Sequence, residues 1–181
     1  LSRGLGDVYK RQDAKDALKQ AMGRVSAIAV VHEILSQNFE EQVAFDEVAD
    51  RILHMVGDVA ASSGSVVARR EGSFGEVPAE TATALSLATT ELCQNAIEHS
   101  LDSSSGNVIV RPHRTDDALV VDIVSDGKPL PEGFSLDNHR SSLGLSIVTT
   151  LMQDLGGTFT LEDNSDRVGT CARLVIPLQR L

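Results

Sequence analysis

The sequence predicts an α+β fold: a two-layer α/β sandwich, with helices on one side of a mixed, mainly antiparallel sheet, preceded by one long helix. Two observations carry this. Segments 45–61, 81–100 and 143–155 repeat apolar residues at helical spacing, and between them lie short β-rich stretches bounded by Gly, Ser and Asp. The composition supports a sizeable core, since 41% of the 181 residues are apolar, although only 3% are aromatic. With 16 basic against 26 acidic side chains the net charge is −10, which disfavours direct contact with a phosphate backbone. The longest apolar run, Ala27 to Val31, is far short of the roughly 20 residues of a spanning helix, so no membrane segment is expected. Cys93 and Cys171 are isolated thiols without disulfide or zinc-ligand spacing. A cytoplasmic setting is the expectation.

Residues 1–12 read as foreign. They show no apolar period, and DVYKRQ, Asp7 to Gln12, resembles the in-frame translation of a transposon end used in preparing sequencing libraries, so the native chain is expected to continue upstream of Asp13. In residues 13–36 the positions Leu18, Ala21, Val25, Ile28, His32 and Leu35 alternate spacings of three and four, a stripe that seeks another helix. One helix of this length has no core, which predicts half of a helical hairpin that dimerises. Residues 37–44 read as a polar linker. From 45 to 181 the chain reads as one domain. A helix over 45–61 has Asp46 as its cap, and one strand, 65–69, lies in a Gly- and Ser-rich stretch. The helix at 81–100 is followed by strands at 107–111 and 118–124 around a turn at 115–117. A Gly-, Pro- and Ser-rich loop leads to the helix at 143–155, which Gly156 and Gly157 stop, and strands at 158–163 and 170–178 close the domain.

Three constellations point to chemistry. On the helix at 81–100, Glu91, Asn95 and His99 recur every four residues and form one polar stripe. An amide oxygen such as that of Asn95 suits magnesium, which keeps most of its waters and takes few protein ligands beside substrate phosphates, while Glu91 is placed to polarise a nucleophile. The second is Val124 to Pro131, VSDGKPLP, directly after a strand. A carboxylate there accepts from the exocyclic amine of adenine and repels the carbonyl that guanine presents, which makes Asp126 the candidate, with Gly127 allowing close backbone approach. The third is Ser141 to Val148, SSLGLSIV, in which Ser142, Leu143, Gly144 and Leu145 run into a helix N-terminus able to hold phosphate. Each has a plainer reading alone: a solvated helix face, a turn, a serine cap.

In this order the three resemble a known set. Glu91-x-x-x-Asn95-Ala96 is similar to the N box, VSDG to the first glycine box and LGLSIV to the second glycine box of the ATPase fold shared by gyrase, heat-shock ATPases, histidine kinases and mismatch-repair ATPases, the GHKL superfamily. Gly169-Thr170 resembles the final Gly-Thr of that fold. Upstream, RVSAIAVVHEILS, Arg24 to Ser36, is similar to the second dimerisation helix of histidine kinases with an HRVKNNLQ-type acceptor motif, and FDEVADRIL follows as it does in soluble sensor kinases of a transcription-antitermination system. The resemblance implies ATP and Mg2+ as ligands and Asn95 at the metal. It also implies Glu91 as catalytic acid/base, the loop Asp and Thr170 at adenine, and Ser142 to Leu145 at the phosphates. His99 is assigned to the nucleotide pocket or to the helix end. As partners it implies a second copy through the N-terminal helix and a response regulator bearing an RNA-binding antiterminator domain.

The first glycine box departs from the family's DxGxG. Alignment on Gly127 places Ser125 at the adenine position and Pro129 at the second glycine, whereas a loop one residue shorter places Asp126 there; the shorter loop is preferred, since Val124 then keeps its place two residues before the Asp. No HRVKNNLQ-type segment is present, so the phosphoacceptor is expected outside this fragment. His32 lies on the apolar stripe and reads as a buried or seam residue. The expected function is therefore the ATP-binding catalytic domain of a sensor histidine kinase, unable to phosphorylate itself as a fragment. The alternatives are a serine kinase of the anti-sigma-factor type and a nonenzymatic module of the same fold.

Overall fold

The computed structural model describes residues 2–38, 42–61, 65–101, 105–136, 143–165 and 167–178. Helix α1 (Ser2–Asn38) leads to strand β1 (Gln42–Ala44), helix α2 (Phe45–Ala61), and strands β2 (Val66–Arg70) and β3 (Glu76–Pro78). Helix α3 (Ala79–Asn95) ends in one π-helical turn (Ala96–Ser100). Strands β4 (Gly106–Arg114) and β5 (Ala118–Ser125), helix α4 (Leu143–Asp154), and strands β6 (Thr158–Asp163) and β7 (Thr170–Pro177) complete the chain. The main sheet has five strands in the order β2-β4-β5-β7-β6; β2 and β4 run parallel and every other pair is antiparallel. β1 and β3 form a separate two-stranded ribbon.

Period-two alternation divides the sheet into a dry and a wet face. Leu119, Val121 and Ile123 of β5, with Val108 and Val110 of β4 and Leu174 and Ile176 of β7, turn inward into the core. Asp122 faces the other way and accepts two hydrogen bonds from its cross-strand neighbour Arg173, at 2.6 and 2.8 Å. Against the dry face lie α2, α3 and α4, which bring Ile52, Val56, Leu85, Ala88, Leu92, Val148 and Met152. Phe45 and Phe74, both fully buried, meet edge to face with ring centroids 4.8 Å apart.

The expected helices and strands are present, and the differences have physical causes. Asp46 does not cap α2; its carboxylate accepts the hydroxyl of Ser73 at 2.6 Å and the N–H of Phe74 at 2.7 Å, holding the turn after β2. The polar linker gives up its last three residues to β1, whose only partner is β3, and a three-residue ribbon leaves too short a pattern to be read. The segment read as foreign lies in the first turns of α1.

Helix α1 differs most from expectation, because it has two working faces. Ala27, Val31 and Ile34 are buried, and α1 packs on α3 and α2. The predicted stripe faces outward, as a stripe awaiting another helix would: Leu18 is 61% exposed, Val25 66% and Ile28 45%, with Met22 at 61% beside them. His32 is exposed on this same side and is not buried, because the residues next to it, Val31 and Ile34, take the inward positions. The side chain of Leu35 lies outside the described residues.

Candidate functional site

A cavity of about 440 Å³ opens between α3 with its π turn, the inner ends of β5, β6 and β7, the segment 128–134, and the start of α4. Its size is that of a small-molecule site. Its floor is apolar, from Leu92, Ala96, Ile123, Leu161 and Ala172, and Phe134, Leu130 and two prolines wall one side. The polar groups that line it are Asn95, His99, Ser100, Lys128 and Thr170. Of the residues read from the sequence, Asn95, His99, Leu145 and Thr170 are therefore brought together in one cavity.

Beside Asn95, on the rim of this cavity, two helices meet. Glu91, 2% exposed, and Asn95 face the first turn of α4, where Gly144 is buried: a Cβ on Gly144 would stand 2.5 Å from Glu91 Oε2 and 3.5 Å from Asn95 Nδ2. Glycine is what allows this approach. The N-terminus of α4 points its unpaired N–H groups and positive dipole end toward the same place. The Nδ2 of Asn95 is buried without a hydrogen-bond partner, an orphaned group of the kind a ligand satisfies. An amide whose two ends differ only by assignment offers magnesium an oxygen there, so the residue fits the metal role. Among the described residues no group of three or more His, Cys, Asp or Glu side chains is placed to hold a metal ion. Leu143 is exposed, and Ser142 lies outside the described residues.

Glu91 has a partner that the sequence did not reveal. Arg24 of α1 spreads its guanidinium over the carboxylate, Nε donating to Oε1 and Nη2 to Oε2 at 3.0 Å, which raises the Arg24 pKa further. Gln20, one turn earlier on α1, donates to Glu98 at 3.3 Å. Gly23 lets the two helices approach, since a side chain there would strike Gln94. The docked face of α1 thus reaches Glu91, Gln94 and Glu98, beside Asn95 and His99, which line the cavity.

At the opposite end the first glycine box takes a form the sequence reading did not prefer. Asp126 lies outside the cavity: its carboxylate accepts the N–H of Asn107 at 2.7 Å and the Asn107 amide at 2.6 Å. Burial pushes its pKa up, and those bonds, with Arg167 nearby, more than reverse this and leave it below the usual carboxylate range. Ser125 is the residue that turns inward. It is 1% exposed, and its Oγ lies 2.7 Å from Ser100 Oγ and 2.9 Å from Thr170 Oγ1. The signal was available: Leu119, Val121 and Ile123 face the core, so the alternation places Ser125 on the same face and Asp126 opposite. Gly127 and Gly169 are glycines because each backs onto main chain. A Cβ on Gly127 would strike the Ser100 carbonyl, and one on Gly169, at φ +125°, the Ser125 carbonyl. Ser100 and Lys128 were also missed; the former sits in the π turn, where spacing by four no longer tells which side faces in.

The chain is similar to known proteins along most of its length. Residues 80–180 match the model of histidine kinase-, DNA gyrase B- and HSP90-like ATPases, and residues 7–60 match a histidine kinase model. The sensor histidine kinase PdtaS of Mycobacterium tuberculosis is 42% identical over 171 residues, which cover 93% of this chain and 34% of that protein. PdtaS of Mycolicibacterium smegmatis is 40% identical over 172 residues, with the same coverage. The chain spans about a third of the length of these relatives. Among solved structures, the histidine kinase domain of the Erythrobacter litoralis EL346 blue-light-activated histidine kinase superposes with a TM-score of 0.75 at 24% identity, covering 88% of this chain and 75% of that one.

Proposed function

The chain belongs to the family of histidine kinase-, DNA gyrase B- and HSP90-like ATPases, and from that membership we propose that residues 45–181 bind ATP with Mg2+ and transfer its γ-phosphoryl group to a histidine of the sensor kinase lying outside this fragment. One observation carries the proposal: the orphaned amide of Asn95 lines a cavity of about 440 Å³ with an apolar floor, and Glu91 and Gly144 at the start of α4 meet beside that amide. In this reading Asn95 holds the metal and the α4 N-terminus receives the phosphates through its N–H groups. The metal supplies charge neutralisation on the phosphates. Glu91, once its carboxylate is released by Arg24, accepts a proton from the attacking group or orients it, and Thr170, Ser100 and the apolar floor hold the base; His99 and Lys128 border the nucleotide. Catalysis of this kind is positioning, and the residues act by fixing distances.

The proposal divides the chain into residues 13–36 as one helix of a dimerisation hairpin, 37–44 as a connector and 45–181 as the catalytic domain. A second copy is assigned to the outward stripe of α1, and a response regulator, with an RNA-binding antiterminator domain by likeness to the antitermination kinases, to the receiving end of the relay. The setting assigned is cytoplasmic; among the described residues no helix is long and apolar enough to cross a membrane. Titration calorimetry with ATP and Mg2+ tests the core of this: binding by the wild type, and loss of at least about tenfold in affinity on Asn95→Ala, an interaction of about 1.4 kcal/mol. Ser125 and Pro129, which stand where the family's pattern has Asp and Gly, favour one second reading, a nonenzymatic module of the same fold. No binding heat from the wild type would establish it. Phosphate on His32 after incubation with ATP would move the acceptor onto α1.

A further inference from the structure

Among the described residues the base end of the cavity contains no carboxylate. Its lining residues include no Asp or Glu, and Asp126, the acidic residue of VSDGKPLP, is turned away and held by Asn107. In that place stand three hydroxyls in a row. Ser100 and Thr170 line the cavity, and Ser125, buried behind them, bonds to both, at 2.7 and 2.9 Å. Ser100 Oγ also lies 3.0 Å from the Lys128 carbonyl, to which it donates, and the N–H of Thr170 donates to Ser125 Oγ at 3.3 Å.

This chemistry differs from that of a carboxylate in one respect. An ionised carboxylate only accepts, so it selects the N6 amine of adenine and repels O6 of guanine, whereas a hydroxyl both donates and accepts. The row has two proton arrangements. When Ser100 donates to the Lys128 carbonyl, Ser125 donates to Ser100 and Thr170 to Ser125, leaving an oxygen lone pair of Thr170 for the ligand. That arrangement meets an amine. When the row reverses, Ser100 donates to Ser125, Ser125 to Thr170, and the Thr170 proton is released to meet a carbonyl. Reversal gives up one hydrogen bond, the one to Lys128, whose net worth corresponds to no more than about a tenfold change in an equilibrium constant.

We propose that this hydroxyl relay makes the site tolerant of the purine: it takes guanosine triphosphate as well as adenosine triphosphate, with adenine favoured by no more than about tenfold. The inference rests on the nucleotide-binding reading above and specifies its substrate class.

Titration of the full chain with ATP and with GTP, each with Mg2+, tests it. The expected result is binding of both, with dissociation constants within about tenfold of each other. In Ser125→Ala the inward pull on the Thr170 proton is removed, so the ratio is expected to move toward one. Ser100→Ala, which removes the acceptor for Ser125 and favours the reversed row, is expected to move it further toward GTP and serves where Ser125→Ala melts below the assay temperature. A wild-type preference for ATP beyond about tenfold overturns the proposal, as does a ratio that neither substitution changes. Binding of neither nucleotide is a separate outcome, which overturns the nucleotide-binding function itself and this inference with it.

Discussion

Glu91 is a carboxylate 2% exposed on a helix otherwise packed with Ala, Leu and Thr, and a charge so placed needs a partner. Arg24 provides it with a planar fork that occupies both oxygens. Removing the fork leaves the charge buried and alone: Arg24→Ala is expected to lower stability by about 3 kcal/mol, the lower end for a broken buried pair because Arg24 keeps some exposure. Arg24→Ala combined with Glu91→Gln is expected to recover most of that loss, and urea denaturation of the single and double variants measures both. Cys93 offers a second test. Burial pushes its thiol up to about 12, so the folded protein holds a proton that the unfolded chain releases near 9. Between those values the native state binds more protons than the unfolded state, so stability falls as pH rises above about 9. Melting temperatures from pH 7 to 10 are expected to decline at the alkaline end, less steeply in Cys93→Ala. Asn95, His99 and Thr170 were legible as neighbours in one cavity because a four-residue spacing and a box order locate them without coordinates. Ser125 against Asp126 was decided by a one-residue register, which the loop motif blurred and the strand alternation resolves.

Among the elements, those with long periodic patterns matched expectation closely, as α2 and β6 do. What the pattern lacked was the short and the nonlocal. The ribbon of β1 and β3 exists because the chain on either side brings the two segments together, and nothing within three residues encodes that. The π turn after α3 is likewise invisible to a scheme of fixed spacing, yet it carries Ser100 into contact with Ser125. Glycine marks where elements touch backbone to backbone. Gly169→Ala combines a left-handed φ of +125° with a strike on the Ser125 carbonyl, so a loss of about 3 kcal/mol or more is expected by thermal or chemical denaturation. Gly144→Ala tests the junction of α4 with α3 differently. Its Cβ would stand 2.5 Å from Glu91 Oε2, so nucleotide affinity is expected to fall more than stability does, read by calorimetry beside a melt.

At the scale of the whole molecule α1 carries two apolar faces, one packed on α2 and α3 and the other turned to solvent. A row of Leu18, Met22, Val25 and Ile28, each 45% exposed or more, is more apolar surface than a lone helix usually leaves in water. Under the proposed pairing of two chains along this row, Leu18→Glu with Val25→Glu is expected to shift sedimentation from dimer to monomer at micromolar concentration, leaving the melt of residues 45–181 in place. The sequence displayed the outer stripe clearly. The inner one, Ala27, Val31 and Ile34, is three residues of ordinary helical spacing whose partner lies far along the chain. The parallel pairing of β2 with β4 has a mechanical consequence. Because α3 is the bridge between two strands zipped side by side, it is clamped at both ends, and the rim carrying Asn95 and Ser100 behaves as an anvil. The wall opposite, from Lys128 to Phe134, is tied to the same frame by single bonds, the Lys128 N–H on the Ser100 carbonyl and the Leu130 N–H on Asp163 of β6.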